Sequence, residues 1–190
     1  AEATSRRADE VEAGLAAHAG KWRRGGERFG DAGMGRHMAG LEREAVEVRE
    51  GERVFATTGE VRAAAAFRAG HPGCTVISGG TDVGVQTNKR MRKITALLST
   101  AGLRDLEEVR VEGNVLVAGA RARLTEVERV AARALPEFAK MLENFGSVLI
   151  RNAGTIGGNI ANGSPIGDTM PAMFVLPTEV ELTGAEGTRR

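Results

Sequence analysis

The sequence predicts an α+β chain in which a small β-α-β layer precedes antiparallel strands with helices. Two short, continuously apolar runs, Cys74 to Ser78 and Ile94 to Leu98, read as strands buried on both faces, which lose the polar alternation of half-exposed strands. From Val109 the pattern changes. Val109 and Val111 alternate with polar residues, Glu112-Gly113-Asn114 turns the chain, and Val115, Val117 and Ala120 bring it back as a hairpin.

The elements follow in order. A strand near Val54 to Ala56 opens the layer, and Thr57 and Glu60 stand at the capping-box spacing that starts a helix, which Gly70 and Pro72 end. After the Cys74 strand comes a Gly79-Gly80-Thr81 turn, then the Ile94 strand. Beyond the hairpin, Thr125 and Glu128 repeat the capping-box spacing, and a second helix runs from Pro136 to Phe145 with proline in its first turn. Met141, Leu142, Leu149 and Ile150 read as core. Asp168 or Thr169 opens a helix through Val175, followed by a strand at Glu179 to Thr183.

Residues 1–50 differ from the rest, being charged, alanine-rich and glycine-rich at their centre. Asp9 to His18 and Met38 to Val48 have helical spacing, but Gly25, Gly26, Gly30, Gly33 and Gly35 prevent one continuous helix, so this stretch reads as an arm or linker. The organised domain is expected over 51–190, with 51–108 as a first subdomain and 109–190 within a second.

Composition narrows the function. A chain of 190 residues with 42% hydrophobic content builds one domain with a sizeable core. With 26 basic against 25 acidic residues and 4% aromatics, neither charge nor stacking surface recommends nucleic acid or an anionic membrane as partner. The lone Cys74 excludes an internal disulfide and reads as a small buried hydrophobe, while His18, His37 and His71 lack metal-ligand spacing. Ser164 lacks a nucleophile-elbow setting and no histidine follows it, so hydrolase chemistry has no support. With no long apolar run, the expectation is a soluble, cytoplasmic chain with no protein-bound metal and no catalytic side chain.

Two glycine-rich segments carry the functional signal. The first, Val76-Ile77-Ser78-Gly79-Gly80-Thr81-Asp82-Val83-Gly84, follows a strand; successive N–H groups in such a turn form an anion nest, although an ordinary strand-to-helix turn has the same pattern. Val85 and Gln86 stand where a P-loop needs Lys and Ser or Thr, and the dinucleotide pattern GxGxxG is missing. The second, Ile150 to Asp168, holds five glycines among hydroxyl and amide side chains and reads as a binding loop for an extended, oxygen-rich ligand.

Together "SGGTDVG" and "RNAGTIGGNIANGSPIGD" resemble the FAD-binding domain of the molybdenum hydroxylases, in particular the flavin subunit of bacterial xanthine dehydrogenase. The resemblance runs from about Glu52 to Arg190. It implies a two-subdomain FAD-binding fold, C-terminally incomplete here because family members continue with further strands and another domain. It also implies FAD contacts from Val76, Ile77, Ser78, Gly79, Gly80, Thr81, Asp82 and Val83, and from Thr155, Ile156, Gly157, Gly158 and Asn159. Asp168 would accept hydrogen bonds from FAD hydroxyls, or cap the helix after it; Phe145 would stack on the flavin nucleotide, or pack in the core. The resemblance further implies a molybdenum-cofactor partner, [2Fe-2S] clusters on a partner domain or subunit, and NAD as electron acceptor. Alternatives are a non-catalytic interaction fragment and a flavin subunit serving a hydroxylase with another substrate.

Overall fold

Three parallel strands and one antiparallel strand form the sheet that organises the first half of the chain. The computed structural model describes residues 44–164 and 167–190, so the expectations for Asp9 to His18, for the glycine-rich centre of the arm, and for His18 and His37 lie outside the described residues. Strands β1 (Val46–Glu50), β2 (Arg53–Thr57), β3 (Thr75–Ile77) and β4 (Ala96–Ser99) lie in the order β1-β2-β4-β3. Strand β1 runs antiparallel to β2; β2, β4 and β3 are mutually parallel, with Phe55 level with Leu97 and Val76 with Leu98. The sheet therefore begins before Glu50, and Val46 to Val48 are strand where apolar spacing had indicated helix. Pairing with β2 overrides so short a local pattern.

Helix α1 (Val61–Gly70) crosses from β2 to β3. Its Val61, Ala64 and Phe67 recur at helical spacing and close a core with Ala56, Leu98, Leu103, Cys74 and Leu106. Burial pushes the Cys74 thiol pKa up, in keeping with its packing role. The capping box expected at Thr57 and Glu60 does not form. The helix starts at Val61 without a side-chain cap, and the Thr58 hydroxyl accepts the Glu60 N–H at 3.2 Å instead. A helix that the sequence pattern does not predict, α2 (Thr81–Arg90), connects β3 to β4; Gly84, Thr87 and six further polar or charged residues leave it no apolar stripe.

Strands β5 (Val109–Glu112) and β6 (Val115–Ala118) form the expected hairpin. Helices α3 (Leu124–Ala131) and α4 (Pro136–Asn144) pack together around Ala122, Leu124, Val127 and Leu142, with Val109, Leu116, Phe138, Met141, Phe145 and Ile156 around them. Gly119 docks this half on the first: a Cβ there would lie 2.2 Å from the Leu106 carbonyl oxygen.

The segment read as one long glycine loop is largely helical. Helices α5 (Val148–Ala153) and α6 (Ile156–Asn162) are short turns opened by the side chains of Ser147 and Thr155, which accept the N–H groups of Ile150 and Gly158. Helix α7 (Thr169–Val175) comes next, then a small hairpin of β7 (Leu182–Gly184) and β8 (Gly187–Arg189), later than the strand expected at Glu179 and packed against α1. Leu149 and Ile150 are not core. They lie 80% and 41% exposed on the outside of α5, whereas Leu142 has no exposed surface. Among the described residues no helix is long and apolar enough to cross a membrane.

Leu142→Ala should lower unfolding stability by about 3 kcal/mol through lost burial and the cavity left behind. Leu149→Ala should cost less than about 0.5 kcal/mol as a surface change. Urea denaturation of the two variants checks the contrast.

Candidate functional site

The two glycine-bearing segments meet backbone to backbone. A methyl group on Gly79, just after β3, would sit 1.9 Å from the Ala153 carbonyl oxygen and 3.0 Å from Gly154 Cα. From the other side, a Cβ on Gly154 would lie 3.7 Å from Thr81 Oγ1 and 3.0 Å from the Ile150 carbonyl oxygen. Both glycines have ordinary φ, so the demand is for space.

Gly80 answers a different demand. Its φ of 73° and ψ of 1° are left-handed, a conformation glycine adopts without a Cβ penalty, and it is the residue from which α2 starts. The Gly84 N–H donates to the Gly80 carbonyl at 2.8 Å. The amides of Thr81, Asp82 and Val83 thus stand ahead of the first intrahelical bond, and no side chain caps them. Free N–H groups at the positive end of a helix dipole attract an anion. Asp82, the acid in this first turn, is engaged elsewhere: its carboxylate accepts from the Gln86 amide, whose oxygen accepts from Arg92, which in turn reaches Thr75 Oγ1 at 3.3 Å. Val76 and Ile77 lie in β3, Ile77 beneath Gly80; Ser78 is exposed between strand and turn; the Val83 carbonyl accepts the Thr87 hydroxyl at 3.0 Å.

The N-terminus of α6 is built the opposite way. Ile156 N–H donates to Ala122 O at 2.9 Å, Gly157 N–H to Ala120 O at 3.0 Å, Gly158 N–H to Thr155 Oγ1 at 3.2 Å, and Asn159 N–H to Thr155 O at 2.9 Å. Its first amides are spent on the fold, so this is no second nest. Gly157 is glycine because a Cβ would come within 2.6 Å of the Ala120 carbonyl; one on Gly158 would press to 2.8 Å against the capping hydroxyl of Thr155. What the segment offers a ligand is the exposed Gly158 backbone and the half-buried Asn159 amide.

Asn159 also organises the chain beyond α6. Its Oδ1 accepts the hydroxyl of Thr169, which is fully buried, and Gly167 lies against the same oxygen. Asp168, between Gly167 and Thr169, is thereby held at the Asn159 side of the site and is itself exposed. It precedes α7 but makes no capping bond, which removes the cap as its explanation. Phe145 closes α4 and packs against the second core.

Sequence reasoning passed over the residues that hold α5. The buried Arg151 donates from Nη1 to the carbonyls of Phe145 and Gly146 at 2.9 and 3.2 Å, and its Nε lies 3.2 Å from Glu128 Oε2 as an ion pair without hydrogen-bond alignment. Thr125, on α3, donates its hydroxyl to Asn152 Oδ1 at 2.7 Å. Thr125 and Glu128, read as a capping box, thus both grip the second segment instead; α3 begins at Leu124 with no side-chain cap. Only their partners' positions reveal this role. Ser147 and Thr155, by contrast, are residue types that favour N-caps, a signal that could have located α5 and α6 but was not read.

Residues 52–190 match the family described as the FAD binding domain in molybdopterin dehydrogenase. The chain belongs to this family. The FAD-binding domain is 38% identical over 120 residues to the nicotinate dehydrogenase FAD-subunit of Eubacterium barkeri, covering 60% of this chain and 40% of that protein. It is 29% identical over 126 residues to the xanthine dehydrogenase FAD-binding subunit of Escherichia coli O157:H7, covering 64% and 42%. Among solved structures it is similar to the Cu,Mo-CO dehydrogenase in its cyanide-inactivated form, with a TM-score of 0.66 and 28% identity over 71% of this chain and 48% of that one. The matches thus span less than half the length of these relatives. The donor set suits the family's cofactor: uncapped amides beside a left-handed glycine, with the Ser78 hydroxyl, are groups that would hold an anionic centre, and the Asn159 amide and exposed Asp168 are groups that would hold hydroxyls.

The two kinds of glycine should separate by mutation. Gly79→Ala forces the segments apart and should destabilise by about 2 kcal/mol or more, an overpacking cost. Gly84→Ala, whose Cβ would meet nothing within 4 Å on a helical residue, should stabilise by roughly 0.5–1 kcal/mol. Urea midpoints of the two variants check both signs.

Proposed function

We propose that this chain binds FAD across the junction of its two glycine segments and serves as the electron-transfer component of a molybdenum hydroxylase. Electrons would arrive from [2Fe-2S] clusters fed by a molybdenum-cofactor partner and leave to NAD. The observation that carries the reading is the uncapped N-terminus of α2 behind the left-handed Gly80, pressed by Gly79 against the segment bearing Asn159 and Asp168.

In this reading the amides of Thr81, Asp82 and Val83 hold the pyrophosphate, with Ser78 and Thr81 adding hydroxyl donors and Val76 and Ile77 forming the strand floor. Thr155, Ile156, Gly157 and Gly158 shape the opposite wall, Gly158 allowing close backbone approach. Asn159 and Asp168 bind hydroxyl groups, Asp168 as an ionised acceptor. Phe145 borders the nucleotide from the second core. FAD held there would supply the redox chemistry of electron transfer to the acceptor. The protein's part is to bind, orient and shield; no side chain is assigned an acid or base role.

The identity of the oxidised substrate rests on the partner. A xanthine-type hydroxylase is the reading drawn from the two motifs. A hydroxylase of another nitrogen heterocycle is favoured by the 38% identity to the nicotinate dehydrogenase FAD-subunit. Assembly with the cluster and molybdenum subunits, followed by NAD reduction with xanthine or nicotinate, separates the two.

Titration of the full chain with FAD, followed by flavin fluorescence, should show saturable one-to-one binding. Gly80→Val should weaken it at least about tenfold by distorting the turn and blocking phosphate approach. Asp168→Ala should cost roughly three- to tenfold, the worth of a single charge-assisted bond exposed to water. A Gly80 variant of unchanged affinity would remove the pyrophosphate assignment.

A further inference from the structure

The four-stranded sheet ends on β1, and among the described residues nothing pairs with its outer edge. All five residues of β1 are exposed. The turn into β2 consists of Gly51 and Glu52, with Glu50 opposite Arg53. A two-residue hairpin closes on a hydrogen-bonded pair, and alternation along an antiparallel ladder then turns the main-chain groups of Val46, Val48 and Glu50 toward β2. Those of Glu47 and Arg49 point outward. The two residues whose backbone faces the open edge therefore carry opposite charges.

We propose that β1 pairs antiparallel with β1 of a second copy of this chain about a two-fold axis through Val48. In that register Glu47 faces Arg49 of the second copy, Arg49 faces its Glu47, and Val48 faces Val48. The pairing makes four main-chain hydrogen bonds and two cross-strand ion pairs. Shifting the axis to Glu47 sets glutamate against glutamate, and shifting it to Arg49 sets arginine against arginine, so charge selects the Val48 register. Within one chain Glu47 and Arg49 already lie 2.6 Å apart, and the two-fold arrangement merges two such pairs into a four-charge cluster of alternating sign.

The other face of the sheet supports the same register. Away from α1, Val46, Val48 and Phe55 are 42%, 55% and 37% exposed, with Leu97 level with Phe55. Pairing through Val48 carries this apolar strip across the axis into a continuous eight-stranded sheet. A five-residue edge is short beside the roughly 1,600 Å² of a standard interface, so the dimer is weak and depends on concentration.

Sedimentation equilibrium of the full chain over a wide concentration range tests the proposal. The mass should rise from 20.0 kDa toward twice that value. Glu47→Arg places arginine against arginine in both pairs and should raise the dissociation constant about tenfold. The double variant Glu47→Arg, Arg49→Glu restores opposite charges within and between chains and should dimerise like the original. Circular dichroism confirms that each variant is folded. A chain that stays at 20.0 kDa at the highest concentration, a single variant that dimerises unchanged, or a folded double variant that remains monomeric overturns the proposal.

Discussion

The contact on which the site depends is the one between Gly79 and the Ala153 carbonyl, where two stretches of backbone approach too closely for any side chain. It joins the end of β3 to the end of α5, bringing the α2 N-terminus beside the residues that lead into α6. A carbonyl oxygen is rigid, unlike the tip of a flexible side chain, so a clash there can be relieved only by moving a segment. Gly154, against Thr81 and the Ile150 carbonyl, repeats the constraint from the other side.

Around that contact the two helix beginnings divide the work. At α6 every early amide has a protein acceptor, so the segment is anchored to Ala120, Ala122 and Thr155 and is positioned before any ligand arrives. At α2 the early amides have no side-chain cap and the one acidic group is tied to Gln86, so the positive end of the helix remains available. Rigidity on one wall and unspent donors on the other preorganise the junction for the anionic ligand proposed above. Behind it, the buried Arg151 spans Glu128 and the Phe145–Gly146 turn, holding α5 against α3 by charge where apolar packing is thin.

Much of this was legible in sequence for definite reasons. Continuous apolar runs marked β3 and β4, although β3 lies at the sheet edge with Val76 42% exposed and is not buried on both faces, and the Glu112-Gly113-Asn114 turn marked the β5–β6 hairpin because few residues adopt that geometry. The glycine segments announced a close approach, and their residue types pointed to the family to which the chain belongs. Local patterns misled where tertiary partners competed for them. Thr57 and Glu60 form no capping box because Thr58 takes the Glu60 amide, while Thr125 and Glu128 bind Asn152 and Arg151 instead of their own helix. Helix α2 went unread because it has no apolar stripe for the spacing of apolar side chains to reveal.

The sequence by itself determined where β2 to β6 are extended, where the chain turns in the β5–β6 hairpin and which residues have chemistry to offer, since these depend on local sterics and on the period of apolar side chains. Tertiary structure alone decided what each glycine is for. Gly79 and Gly157 leave room for a neighbouring backbone, Gly80 turns the chain through a left-handed conformation, and Gly84 meets nothing. It also decided which helix keeps its amides free. A glycine looks the same in any sequence, and the atom that would collide with its missing Cβ belongs to a residue tens of positions away.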